Sequence, residues 1–303
     1  GTGMTDLAGN APLAGNTTGN YAVDTKEPVV VSLMMSDSAL LVGETSTLTI
    51  TFSEAVTAFD NTDIALQNGT LTPVSTGDGG VTWTGTFTPT DDVEDATNMI
   101  SIGTGMTDLA GNAPLAGNTT GNYSIDTKEP VVFSLMMSDS ALLVGETSTL
   151  TITFSEAVTA FDNTDISLQN GTLTPVSTSD GGVTWTGTFT PTDDLEDATN
   201  MISVGTGMTD LAGNALLAGN TTGNCSIDTK EPVVVSLMMS DSALLVGETS
   251  TLTITFSEAV TAFDNTDIAL ANGTLTPVST SDGGVTWTGT FTPTDDLEDA
   301  TNM

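Results

Sequence analysis

The chain has no histidine, three basic residues in total and a single cysteine among 303 residues. Each shortage excludes a class of chemistry. Without histidine there is no Ser-His-Asp triad, no Cys-His pair and no histidine-ligated zinc site. One cysteine, Cys225, cannot form an intrachain disulfide or a thiolate metal cluster. Three bases against 39 acids give a net charge of −36. That excludes the clustered Lys and Arg that DNA or RNA demands, and attraction to an anionic membrane surface. No apolar run approaches the roughly 18–20 residues of a membrane span, so no direct membrane insertion is expected. The amino terminus shows no signal-peptide pattern and no initiating Met, so the chain reads as an excerpt from something longer.

What is present is periodic. Trp83, Trp185 and Trp287 recur at a spacing of 102, and so do Lys26, Lys128 and Lys230. Residues 24–125 and 126–227 differ at seven positions, among them Val31/Phe133, Pro114/Leu216 and Tyr123/Cys225. Residues 228–303 are a third copy that stops before its last strands. Residues 1–23 match the end of a unit, the counterpart of 103–125. A period near 100 is too long for a solenoid and suits a string of small domains.

Within a unit the pattern is β. Leu48, Ile50 and Phe52 alternate with Thr47, Thr49 and Thr51, and Val81, Trp83 and Phe87 alternate with threonines in the same way. Alternation of large apolar residues with Thr predicts strands with one buried face. With Val29–Met35, Ile64–Leu66, Leu71–Ser75, Met99–Ile102 and Tyr123–Ile125, about seven strands are expected. Turn signals at Asn68-Gly69, Gly77–Gly80 and Leu109–Asn112 separate them. Leu40–Glu44 reads as a short turn. The fold expected is all-β: tandem immunoglobulin-like β-sandwich domains of about seven strands, end to end. Trp83 is expected at the centre of each core, among Phe52, Phe59 and Phe87.

The two incomplete pieces, 1–23 and 228–303, complement each other. They fit either a window on a longer array or a subunit that completes a neighbour by strand exchange, giving a homopolymer.

The acids gather on loops. Asp91, Asp92, Glu94 and Asp95 lie in one short stretch, and Glu54, Asp60 and Asp63 in another. In a sandwich of this topology the loops fall at two poles. Glu129, Glu156, Asp162, Asp165 and Asp210 share the leading pole of the middle unit, with Asn214 beside Asp210. Asp91, Asp92 and Asp95 share the trailing pole of the unit before it. The linker from Asp126 to Pro130 joins the poles, and Asp228 and Glu231 begin the next one. Oxygen ligands from Asp, Glu and Asn in this density suit calcium, which takes six to eight oxygens. Two unit charges 4 Å apart repel by about 1 kcal/mol in bulk water and more at lower dielectric. A junction without cations is therefore expected to flex, and one with calcium to stiffen. The competing reading is an acidic, solvated surface with no specific ion. No EF-hand loop is present, Gly77–Gly80 lacks the setting of a phosphate site, and Met34-Met35 reads as core filler. Carboxylate pairs without a pocket give no reason to expect an enzyme.

The motifs Asp126-Thr-x-x-Pro130, Thr-Phe-Ser-Glu156-Ala-Val, Phe161-Asp-Asn-x-Asp165-Ile, Gly-Val-Thr-Trp185-Thr and Thr-Asp210-Leu-Ala-Gly-Asn214 resemble the bacterial Ig-like repeats of giant surface adhesins. These include the extender regions of RTX-type biofilm adhesins. The resemblance spans essentially the whole chain. It implies an extracellular array on a bacterial cell surface, often rigidified by calcium, that supports adhesion and biofilm formation. The partners it implies are neighbouring repeats of the same chain. The glycine-rich calcium nonapeptides of such proteins are not in this sequence. A glycan- or cell-binding role for each repeat is the alternative, though the few aromatics per unit are mostly needed inside.

Overall fold

The computed structural model describes residues 3–13 and 17–302. The first repeat supplies the frame. Its strands are β1 (Val30–Met35), β2 (Ala39–Leu41), β3 (Ser46–Phe52), β4 (Val56–Thr57), β5 (Ile64–Ala65), β6 (Gly69–Leu71), β7 (Ser75–Thr76), β8 (Thr82–Pro89), β9 (Glu94–Asn98), β10 (Ser101–Ile102), β11 (Thr107–Asp108), β12 (Asn118–Thr119) and β13 (Tyr123–Asp126). One sheet runs β1-β3-β8-β6, with β7 also on β8. The facing layer is built from β2-β13-β9, β12-β10-β5 and the β11-β4 pair. The second repeat has the same strands 102 residues on. In the third, the described residues form the first sheet alone, from Val234–Met239, Ser250–Phe256, Gly273–Leu275, Ser279–Thr280 and Thr286–Pro293. Leu237, whose counterpart Leu33 is buried, is 62% exposed there.

The alternation places the core as expected on β3 and β8. Leu48, Ile50 and Phe87 are fully buried, while the threonines between them face outward. Leu48 lies opposite Gly85 and Ile50 opposite Trp83 in the antiparallel register. Trp83 itself is only half-buried. Its ring meets Phe59 edge-on at 5.4 Å, and Phe59 meets Phe52 at 5.3 Å. Its indole N–H donates to the Gly80 carbonyl at 3.0 Å, which anchors the ring at the mouth of the sandwich. The centre is filled by Leu48, Ile50, Phe52, Phe87 and Tyr123, while the polar indole N–H keeps Trp83 near the rim, where it finds a partner.

Two segments depart from the sequence reading. Leu40 is not in a turn: β2 runs parallel to β13, and Leu40 is fully buried. The chain thus crosses from one sheet to the other after β1. The acidic stretch is not wholly a loop either, since Glu94 and Asp95 begin β9, which pairs antiparallel with β13. Only Asn98 of that strand is fully buried, so its acids sit on the wet side.

The hairpin before β8 carries a carboxylate cage. The Asp78 carboxylate accepts from the Thr82 amide at 2.9 Å, the Thr76 hydroxyl at 2.9 Å and the Val81 amide at 3.1 Å. Gly80 closes the turn at φ +107, where a β-carbon would lie 2.7 Å from the Val56 carbonyl. The hydrogen bonds, that from Thr82 first, hold the Asp78 carboxyl down at about 2. Asp180 and Asp282 in the other repeats are held at about 2 as well. A carboxyl lowered on folding stabilises above its ordinary value of 3.8, and that contribution is lost as pH falls through about 2. Asp78→Ala should therefore lower the urea midpoint of the first repeat at pH 6. The gap from wild type should close in measurements below pH 2. A gap equally wide at both pH values would mean that the cage does not act through its charge.

Candidate metal centre at the repeat junction

The junction between the first two repeats is short because both of its ends are tied down. Asp126 is the last residue of β13. The next residue, Thr127, is buried against the preceding repeat. Its amide donates to the Val93 carbonyl at 2.8 Å, its hydroxyl donates to the Thr90 carbonyl at 2.8 Å, and the hydroxyl accepts from the Val93 amide at 3.1 Å. On the far side, the Pro130 carbonyl accepts from Leu217 and Val131 pairs with Ser155 through two bonds of about 3 Å, so both belong to the second repeat. Only Lys128 and Glu129 lie between these anchors. Thr229 is held in the same way at the next junction, by Thr192 and Leu195.

Three carboxylates converge on this hinge. Asp126 comes from the end of β13, Glu156 from the loop after Phe154, and Asp210 from the short strand Thr209–Asp210. One oxygen from each lies within 4.8 Å of the other two. Asp210 is buried, and the other two are half-buried. A tight loop positions Asp210: its carboxylate accepts from the Asn214 backbone N–H at 2.8 Å and from Asn214 Nδ2 at 2.7 Å, and its own amide donates to the Asn214 carbonyl at 3.0 Å. Asn214 is 1% exposed, and its Nδ2 also reaches Asp126 Oδ1 at 3.3 Å. Its Oδ1 is buried with no hydrogen-bond partner. The same trio recurs in the first repeat as Asp24, Glu54 and Asp108, and there Glu54 Oε1 is the buried oxygen without a partner.

The electrostatics oppose ionisation of Asp126 and Glu156 here. Burial first, then the charges of Asp210 and Glu94, push the Asp126 carboxyl above its ordinary value. Burial, then Asp210, Asp126 and Glu94, push Glu156 upward, and only Lys128 opposes this. A carboxyl raised on folding costs stability when ionised, and that cost is relieved as pH falls through the raised value. A divalent cation would relieve it at neutral pH. The donors are all oxygen, which suits a hard cation such as calcium. Rotating the Asn214 amide by half a turn would exchange its nitrogen for its orphaned oxygen, adding a fourth protein ligand.

The other residues singled out by sequence lie elsewhere. Asp162 and Asp165 form a reciprocal cap on the single-turn 3-10 helix Asn163–Asp165: Asp162 accepts from the Thr164 amide at 2.7 Å, and Asp165 accepts from the Asp162 amide at 3.1 Å. Their carboxylates are used locally. Asp95 accepts from Asn68 at 2.9 Å and from the Thr97 amide at 2.9 Å. Asp91 and Asp92 are exposed in the turn before β9, and Asp92 takes a left-handed φ of 56°. Glu129 is exposed in the hinge. Asp228 and Glu231 are exposed at the next junction, where Asp228 pairs with Glu196 across the strands. Asp24, Glu54 and Asp108 belong to the acidic loops read from the sequence but were not singled out as metal ligands, although each lies 102 residues before a member of the trio. Thr127 stands in the Asp126-Thr-x-x-Pro130 motif and recurs as Thr25 and Thr229, but nothing in that pattern marked its hydroxyl as an anchor.

A family model for the bacterial Ig-like domain matches residues 24–125, 126–227 and 228–303. The chain belongs to the bacterial Ig-like domain family. A search of curated proteins returned no match. Among solved structures, a marsupial T cell receptor is similar at 10% identity, with 89% of this chain and 98% of that one covered and a TM-score of 0.30. The plexin A4 extracellular region is similar at 11% identity and a TM-score of 0.20. There the match covers 89% of this chain and 21% of the plexin. Bacterial Ig-like domains are typical of extracellular or surface proteins, and no helix among the described residues is long and apolar enough to cross a membrane.

Proposed function

We propose that this array is a structural extender, a stalk segment of a large extracellular bacterial adhesin or fibre, stiffened by calcium at its junctions. It holds a binding domain away from the cell and so supports adhesion and biofilm formation. The observation that carries the reading is the carboxylate trio of Asp126, Glu156 and Asp210 set on a two-residue hinge beside the orphaned oxygen of Asn214. Near-identical repeats with threonine-covered outer faces suit a spacer rather than a set of different binding surfaces. No step of catalysis is assigned to it.

Small-angle scattering and calorimetry in calcium and in chelator test this directly. In calcium the maximum dimension should be larger and better defined, and the thermal midpoint higher by mass action. An unchanged scattering curve and midpoint in chelator would remove calcium from the proposal.

A further inference from the structure

If the junction holds a cation as proposed above, the preceding repeat has a further carboxylate to give it. Glu94 lies opposite Asp126 in the β9–β13 register, so its side chain starts from the strand beside the trio. Its carboxylate makes no hydrogen bond among the described residues, and it faces one ion-pair partner: Lys128 Nζ sits 4.0 Å from Glu94 Oε2, with both side chains about half exposed. Lys128 is the sole base of its repeat and lies two residues after Asp126. Asn214 turns its Nδ2 to the Asp210 and Asp126 carboxylates and leaves its Oδ1 buried without a partner, so half a turn of the amide would bring a free ligand oxygen to the trio and satisfy it on a cation.

We propose that Glu94 belongs to the cation-binding set and that Lys128 is its displaceable counter-ion. Cation binding exchanges the Lys128–Glu94 contact for a Glu94–cation contact. The trio alone ties the end of β13 to loops of the second repeat. Glu94 adds β9, so two adjacent strands of one repeat would be fastened to the next. The single lysine of the unit then has a stated role, a tethered monovalent charge that partly neutralises the hinge and sets the cation concentration at which it locks. The strand register repeats as Glu196 opposite Asp228, with Lys230 two residues on.

The test uses the full chain with Cys225→Ser and spin labels on Thr86→Cys and Thr188→Cys, both on exposed outer-face positions of adjacent repeats. Pulsed dipolar spectroscopy reads the distance distribution during a calcium titration. The wild-type distribution should narrow at a defined midpoint. Glu94→Gln should raise that midpoint about tenfold, because ligand charge count sets affinity. Lys128→Met should lower it about three- to tenfold by removing a competing charge. Should Glu156→Gln abolish the response while Glu94→Gln leaves the midpoint within about twofold, the cation site stands and Glu94 is not part of it. A midpoint raised by Lys128→Met would overturn the counter-ion role. No narrowing in any chain would overturn both this inference and the calcium reading it rests on.

Discussion

Replacing Tyr123 by cysteine, the residue found at the matching position 225, should lower the stability of the first repeat by about 3 kcal/mol. The ring is 1% exposed, and it meets Phe87 edge-to-face at 5.5 Å. The Tyr123 hydroxyl donates to the Gln67 carbonyl at 2.6 Å. Truncating a buried aromatic costs about 3–5 kcal/mol, to which the aromatic pair and the hydrogen bond both contribute, and partial collapse of the site reduces the sum. The second repeat is a natural control. There the buried Cys225 thiol reaches only the adjacent Ser226 carbonyl, at 3.7 Å. Its backbone register, opposite Asn200, matches Tyr123 opposite Asn98. Cys225→Tyr should therefore stabilise the second repeat by about 1–3 kcal/mol, provided the cavity has kept its shape. Urea unfolding followed by tryptophan fluorescence resolves the repeats one at a time. With Trp185→Phe and Trp287→Phe, Trp83 reports the first alone. A change below about 1 kcal/mol for Tyr123→Cys would mean that the barrel of side chains around β13 closes over the loss. The corollary is an array of unequal links, in which near-identical sequences unfold at different denaturant concentrations.

The same residues show how far the sequence carries. Apolar–Thr alternation was enough to place β3 and β8 and their buried faces, because period-two burial is written directly into residue order. It could not show β2, three residues long, where too few positions exist for a period to emerge. Nor could it show β9, whose buried side chain is the polar Asn98: that amide donates to the Asp95 and Tyr123 carbonyls and accepts from Asn68. A strand that buries a satisfied amide carries no apolar signature. At the junction, loop topology gathered Glu129, Glu156, Asp162, Asp165 and Asp210 at one pole with Asp126 in the linker beside it, and of these the structure brings Asp126, Glu156 and Asp210 together, with Asn214. It does not bring Asp162 and Asp165 to them. An Asp with another Asp three residues on is the spacing of a reciprocal cap, and that local use of the carboxylates was legible in Asp162-Asn-Thr-Asp165. Glu94 and Thr127 depend on cross-strand register and on a buried hydroxyl, which residue order does not encode at short range.

Thr127→Val should loosen the junction more than any exposed substitution in the linker. Valine matches threonine closely in volume, so the change removes hydrogen bonds with little cavity. The hydroxyl is the partner of both the Thr90 carbonyl and the Val93 amide, and Thr127 is 3% exposed. A part-buried amide left without an acceptor costs about 1–2 kcal/mol, and the lost donation adds about 1 kcal/mol. The expected loss is about 2–3 kcal/mol from the first repeat, measured with Trp83 as reporter. A second effect separates this residue from an ordinary core position. Thr127 closes the linker onto the turn that precedes β9, so it fixes Asp126 and Glu94 relative to each other before any cation arrives. Releasing it lengthens the free hinge backward from Lys128 and lets β13 fray at Asp126. The distance distribution between labelled repeats should broaden even in chelator, and calcium should restore it only at higher concentration, because part of the binding free energy is then spent ordering the linker. If the distribution in chelator stays as narrow as that of wild type, the hinge is held by contacts other than this hydroxyl. If it broadens but the calcium midpoint does not move, Asp126 reaches Glu156 and Asp210 without help from the Thr127 anchor.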